Sequence, residues 1–101
     1  MSRVLVLEPD QEIRDLFIRM LRRLGHNPIL ERETANDVDV VLLEPFWGLG
    51  RRFLEAIRQQ RPDVYVVCAS IYPRADAAAV APDAFLAKPV SMAALAASLP
   101  V

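Results

Sequence analysis

The sequence predicts an α/β protein built on a parallel five-stranded sheet covered by helices. Three observations predict it. Val4–Leu7, Val38–Leu43 and Val64–Cys68 are short, continuous apolar runs rich in β-branched residues. Such runs suit strands buried on both faces. Between them lie stretches with apolar residues three and four apart, the spacing of a helix with one buried stripe. Strand-like and helix-like stretches then alternate along the chain, as they do where helices cover a parallel sheet.

Each element follows from local chemistry. Val4–Leu7 stops at Glu8-Pro9-Asp10, and Asp10 can cap a helix whose first turn carries Glu12. Ile13, Leu16, Phe17, Met20, Leu21 and Leu24 form its apolar stripe, and Gly25 takes the usual stop position. Pro28–Glu31 is a weak strand that Pro28 consigns to an edge. Val38–Leu43 ends at Glu44-Pro45, and Phe46–Gly50 reads as a loop. Arg51–Gln60 is a helix presenting Phe53, Leu54 and Ile57. After Val64–Cys68 come a short Ala-rich helix over Arg74–Ala81, a strand over Ala84–Ala87, and a helix from a Ser91 cap through Ser98. One segment fits poorly. Only Glu31–Asp37 separates the second strand from the third, whereas a parallel crossover takes about a dozen or more residues. Either the crossover helix is shortened or missing, or the second strand is shorter than drawn.

Bulk properties narrow the function. The 101 residues suit a single domain over 1–101, and 53% apolar content supports a real core. Net charge is −1 with no basic run, so neither nucleic acid nor a membrane is expected as a partner. Cys68 is the sole cysteine, which fits a reducing compartment. With no signal segment or long apolar run, a cytoplasmic location is expected. One cysteine and one histidine, His26, cannot assemble a usual zinc site. His26 follows a helix end and reads as a solvated loop residue. Gly48-Leu49-Gly50 is too short for a phosphate loop. No metal and no cofactor are expected.

In an open parallel sheet, ligands gather at the carboxyl ends of the strands. Those ends carry Glu8-Pro9-Asp10, Glu44, Cys68-Ala69-Ser70 and Lys88-Pro89. In this order the pattern resembles the receiver domain of two-component response regulators. That family has a strand ending in two acids, a strand ending in a phospho-accepting Asp, a strand ending in Thr or Ser, and a Lys-Pro pair. The resemblance covers Val4 to about Ser98. It implies a flavodoxin-like fold with strand order 2-1-3-4-5, and a cis bond between Lys88 and Pro89.

The departures carry the functional reading. The family's second acid, which helps to hold Mg²⁺, is matched here by Pro9. Its acceptor Asp is matched by Glu44, a pseudo-phosphoacceptor, and its hydroxyl residue by Cys68, a poor hydrogen-bond donor. The pocket of Glu8, Pro9 and Asp10 is thus degenerate, while Lys88 stays as the family has it. Magnesium demands near-octahedral oxygen geometry. A carboxyl one methylene further out is also misplaced, and an error of about 1 Å can cost about a hundredfold in rate. An atypical pseudo-receiver that is not phosphorylated is therefore expected. It would be no enzyme, and would act by binding another signalling protein.

Alternatives stay open at several residues. Glu44 can imitate a phosphorylated acceptor or simply pair with Lys88; the plainer pairing is favoured. Opposite charges about 4 Å apart attract by roughly 4 kcal/mol at an effective dielectric of about 20, and desolvation cancels much of this. Lys88 can be an ordinary surface lysine, although its place before Pro89 favours the receiver reading. Cys68 reads as a buried core thiol before a redox sensor. Phe46 and Trp47 either anchor a partner or tuck in to shield the sheet, and tucking in is slightly favoured. Phe85 matches the family's switch aromatic. It also belongs to a face, with Ala75–Ala81 and Met92–Ala97, through which a homodimer can form. Two rival functions remain: a phosphorylatable receiver using Glu44 with Asp10 as a substitute metal ligand, and a small-molecule sensor using the rim pocket.

Overall fold

The computed structural model describes residues 2–30 and 37–100. In chain order the elements are β1 (Arg3–Leu7), α1 (Gln11–Arg23), β2 (Asn27–Ile29), β3 (Val40–Leu43), α2 (Gly48–Gln60), β4 (Tyr65–Ser70), a 3-10 helix (Arg74–Val80), β5 (Ala84–Ala87) and α3 (Met92–Ser98). All strand pairs are parallel, and the sheet order is β2-β1-β3-β4-β5. This is the predicted flavodoxin-like fold with the predicted strand order. The second helix predicted as shortened or missing falls on residues 31–36, outside the described residues.

Strand alternation sends successive side chains to opposite faces, and both faces are covered. On one, Leu5, Leu7, Val41, Leu43, Val66 and Cys68 meet Leu54 and Ile57 of α2 and Ala77 and Val80 of the 3-10 helix. On the other, Val4, Val6, Val40, Leu42, Val67 and Ala69 meet Phe17, Met20 and Leu21 of α1 and Leu95 of α3. Double coverage is why the strands are apolar throughout and not alternating. Each fully buried Val, Leu or Phe contributes about 1.5–3 kcal/mol of transfer free energy. Most of the sum is offset by chain entropy. The sheet is thereby a rigid base whose loops are free to carry polar chemistry.

Helix ends follow the local rules. Asp10 Oδ1 accepts the N–H groups of Glu12 and Ile13 at 3.0 and 3.2 Å. At the other end Gly25 sits at φ +86. His26 N–H donates to Leu21 O, and Gly25 N–H to Arg22 O. That pair of bonds is the Schellman stop, and it needs a left-handed residue. Ser91 Oγ accepts Ala94 N–H at 3.1 Å and starts α3.

Four local expectations change. The helix predicted from Arg51 begins at Gly48, so most of the predicted Phe46–Gly50 loop is helix. Glycine is a poor helix former, but Gly50 is buried under Trp47, where a Cβ would lie 2.7 Å from Trp47 Cε3 and 2.9 Å from Leu43 Cδ1. Packing outweighs propensity there. Arg74–Val80 winds as a 3-10 helix, its last carbonyls held from outside by Arg58, whose guanidinium donates to Val80 O and Ala81 O at 2.6 and 3.2 Å. β4 continues past Cys68 to Ser70, because Lys88 N–H bonds Ser70 O and extends the ladder. His26 is half-buried, not solvated: its Nδ1 accepts Ser2 N–H at 3.1 Å and ties down the N-terminal end. No helix among the described residues is long and apolar enough to cross a membrane.

Candidate functional site

Leu7, Leu43, Cys68 and Phe85 stand in one row across β1, β3, β4 and β5. Just beyond that row β1 and β3 end, while β4 and β5 run two residues further, to Ser70 and Ala87. Parallel pairing therefore brings Glu8, Glu44, Ser70 and Lys88 to one rim, although they are scattered over the sequence. The Lys88–Pro89 peptide bond is cis.

Lys88 is bonded to Glu8. Its Nζ lies 2.6 Å from Glu8 Oε1 and 3.9 Å from Glu44 Oε2. Side-chain exposure is 3% for Glu8, 9% for Lys88 and 12% for Glu44. The second oxygen of Glu8 accepts Asp10 N–H at 3.1 Å, and Arg14 Nη1 donates to the Glu8 carbonyl at 3.4 Å. The Glu8 carboxylate is thus compensated at both oxygens, and its short bond to an ammonium is of the charge-assisted kind.

Glu44 is less well served. Its Oε1 accepts the Ser70 hydroxyl at 3.4 Å, a long contact for two oxygens. Its Oε2 is buried and accepts no hydrogen bond, the ammonium at 3.9 Å being an electrostatic neighbour only. Burial pushes the Glu44 carboxyl above the ordinary carboxylate range. Lys88 pulls it down, the Glu8 charge pushes it up again, and the Ser70 bond lowers it slightly.

Cys68 and Ser70 share a strand face, but only Ser70 reaches the rim. Cys68 is fully buried in the core layer under α2. Burial, reinforced by the Glu44 charge and opposed by Arg58, pushes its thiol up to about 11. Ser70 Oγ, besides donating to Glu44, accepts Tyr72 N–H at 3.1 Å. Nothing in the linear pattern singles out Ser70 as the partner of Glu44. Strand alternation is the signal that finds it, since residues two apart point the same way.

The loop aromatics divide. Trp47 is half-buried against the α2 core layer, and its N–H donates to Glu44 O at 3.1 Å. Phe46 stays 47% exposed and meets Tyr72, 50% exposed, edge to face with centroids 4.7 Å apart. Tyr72 is a surface aromatic that the sequence pattern does not mark. Ile71 beside it is 73% exposed. Phe85 is half-buried against the α2 layer, one strand away from Cys68. An apolar cavity of about 200 Å³ opens between α1 and the Lys88–Val90 segment, lined by Ile13, Leu16, Phe17, Ile71 and Pro89.

The divalent cation that the receiver resemblance implies does not fit this donor set. Pro9 supplies no ligand. The Asp10 carboxylate is turned to the first turn of α1 as its cap. Both oxygens of Glu8 are taken, one by an ammonium. Among the described residues no three His, Cys, Asp or Glu side chains gather where a metal could be held.

The sequence matches no protein-family model and no curated protein. Solved structures do match. A response regulator receiver domain from Clostridium thermocellum aligns with TM-score 0.78 and 19% identity, over 97% of this chain and 90% of its own. The Vibrio cholerae chemotaxis protein CheY4 aligns with TM-score 0.78 and 17% identity, over 97% and 95%. A member of a family of redox sensors in the streptococci, evolved from two-component response regulators, aligns with TM-score 0.72 and 18% identity, over 96% of this chain but 48% of its own. At these identities the likeness is one of fold: this chain has the fold of response regulator receiver domains.

Proposed function

We propose that this chain is an atypical receiver-fold signalling module, a single domain that is not phosphorylated and acts by binding another protein. The observation that carries the reading is the bond between Lys88 and Glu8. The lysine that the receiver resemblance keeps is here bonded to a buried carboxylate. Glu44 is left without a direct cation bond, and no acidic pair is free to recruit one. Without a metal or a free lysine, charge developing on a transferring phosphoryl group would have no partner.

The rivals find less support. A phosphorylatable site built on Glu44 needs the Asp10 carboxylate, which already accepts two helix N–H groups. A small-molecule sensor using the rim would have a cavity of about 200 Å³, below the roughly 300–1,000 Å³ of ordinary ligand pockets; the larger hollow of about 450 Å³ is lined by residues of α1 alone and not by the rim residues. Redox sensing, the property named for the streptococcal neighbours, would fall to Cys68, whose thiol is buried and held protonated.

Output then runs through a surface contact. Phe46 and Tyr72 put two aromatic rings beside the rim, and aromatic anchors dominate binding hot spots. The alternative contact is a homodimer over the 3-10 helix, β5 and α3, where Met92 and several alanines are exposed. The test of the non-phosphorylated reading uses Trp47, bonded through its backbone to Glu44. Magnesium with beryllofluoride or acetyl phosphate should leave Trp47 emission and the protein mass unchanged. A saturable emission change, or an added phosphoryl mass on Glu44, overturns the reading.

A further inference from the structure

We propose that Glu44 is a proton-linked switch that acts through the Ser70 hydroxyl on the exposed Tyr72–Phe46 pair. The proposal rests on the preceding reading only in taking that pair as the output surface.

The path is continuous. The Ser70 hydroxyl donates to Glu44 Oε1 at 3.4 Å, and Ser70 Oγ accepts Tyr72 N–H at 3.1 Å. The Tyr72 ring meets Phe46 at 4.7 Å, and Phe46 lies two residues beyond Glu44. A carboxyl, a hydroxyl, a backbone amide and an aromatic pair thus form one chain from the buried rim to the surface. A serine hydroxyl has one donor and two acceptor sites. Beside a carboxylate, its proton points to Glu44. Beside a protonated carboxyl, the bond weakens if the proton is on Oε2 and reverses if it is on Oε1, Glu44 then donating to Ser70 Oγ while the serine proton turns elsewhere. Either state changes the electron density that Oγ offers to Tyr72 N–H. The proton comes from solvent and returns to it.

Glu44 is the member of the rim suited to this role. Glu8, from the end of β1, is bonded at both oxygens, and Lys88, beyond β5, is bonded to Glu8. From β4, Ser70 and the buried Cys68 thiol face Glu44, and Arg58 of α2 acts on that thiol. Glu44 alone among these acids keeps a buried oxygen that accepts no hydrogen bond. Two carboxylates share one ammonium, so taking up one proton balances the cluster. Burial favours that uptake above the usual carboxylate range.

The test is an NMR pH titration of the full chain with no phosphoryl donor present, so that it stands apart from the beryllofluoride experiment. The Glu44 side-chain carboxyl carbon and the Tyr72 amide are followed together. The expected result is one shared midpoint, above that of an exposed glutamate. Glu44→Gln should abolish the Tyr72 transition. Ser70→Ala should abolish it while Glu44 still titrates, and Ser70→Thr should keep it. If Ser70→Ala does not fold, the contrast between Ser70→Thr and Glu44→Gln decides. The proposal is overturned by a Glu44 carboxyl that titrates like an exposed glutamate. It is equally overturned by a Tyr72 amide that ignores the Glu44 midpoint, or follows it unchanged in Ser70→Ala.

Discussion

Lys88 Nζ lies 2.6 Å from Glu8 Oε1 and 3.9 Å from Glu44 Oε2, so the rim lysine is hydrogen-bonded to the carboxylate after the first strand and only ion-paired with the one after the third. A buried ion pair adds little net stability over an apolar replacement, yet breaking it by removing one member costs roughly 3–5 kcal/mol. The two single variants should differ. After Glu8→Gln the ammonium still has Glu44 close by. After Lys88→Met, Glu8 and Glu44 face each other with no cation between them. Urea unfolding should therefore place Lys88→Met well below Glu8→Gln, with the double variant above Lys88→Met. Strictly additive losses in this cycle would mean that the two side chains do not act as a pair.

Gly50 offers a second test, because two opposing effects have known sizes. Replacing a glycine inside a helix by alanine ordinarily gains up to about 1 kcal/mol, and Gly50 lies in the first turn of α2. Here the new Cβ would come within 2.7 Å of Trp47 Cε3 and 2.9 Å of Leu43 Cδ1. Leu43 is fully buried and Trp47 is packed against the same layer, so neither yields freely. Overpacking costs about 1–3 kcal/mol, and it should win. Gly50→Ala is expected to lower the unfolding midpoint and to shift Trp47 emission as the ring is displaced. A stabilised variant with unchanged emission would show that the contact is loose.

Cys68 should behave as an inert core residue. With a thiol pushed up to about 11, the thiolate fraction at neutral pH is on the order of 10⁻⁴, and the thiolate is the reactive form. Full burial removes access as well. The native protein is expected to leave a thiol reagent such as dithionitrobenzoate unreacted until denaturant is added. Rapid labelling of the folded chain would contradict the burial of Cys68.

The fold was legible because its signals are local or periodic. Val4–Leu7 and Val38–Leu43 announce strands by composition, and Asp10 and Gly25 announce the two ends of α1. The strand order came from the resemblance to receivers. The misses share a different cause. The helix starts at Gly48 although two glycines weaken its first turn, and the need for glycine at Gly50 comes from the close approach of Trp47 and Leu43, which no propensity encodes. The expected pairing of Glu44 with Lys88 is present at 3.9 Å, but the closer bond of Lys88 to Glu8 at 2.6 Å is not readable from the linear pattern. The Ser70–Tyr72 contact needs β4 to run two residues further, and that extension is set by a backbone bond from Lys88, distant in sequence. Composition identified the rim; three-dimensional register decided who bonds to whom.

The pH dependence of stability follows from the raised Glu44 carboxyl. In the unfolded chain this group loses its proton in the ordinary carboxylate range. In the folded chain it holds the proton to higher pH, chiefly because burial penalises the charge. Between those two values the native state binds more protons than the unfolded state. The slope of unfolding free energy with pH is proportional to the unfolded count minus the native count, so it is negative in that window. Glu44 therefore makes the protein less stable as pH rises through the window, and the loss is complete above the folded value. Glu44→Gln has no proton to release there, and its amide oxygen can still accept the Ser70 hydroxyl. Groups remote from this rim titrate alike in both proteins and cancel in the difference. Melting temperatures measured for the pair from mildly acidic to neutral pH should diverge, with the variant gaining on the wild type as pH rises and the gap levelling off once Glu44 is ionised. Curves that run parallel would place the Glu44 carboxyl back in the ordinary range and remove the electrostatic tension inferred at this rim.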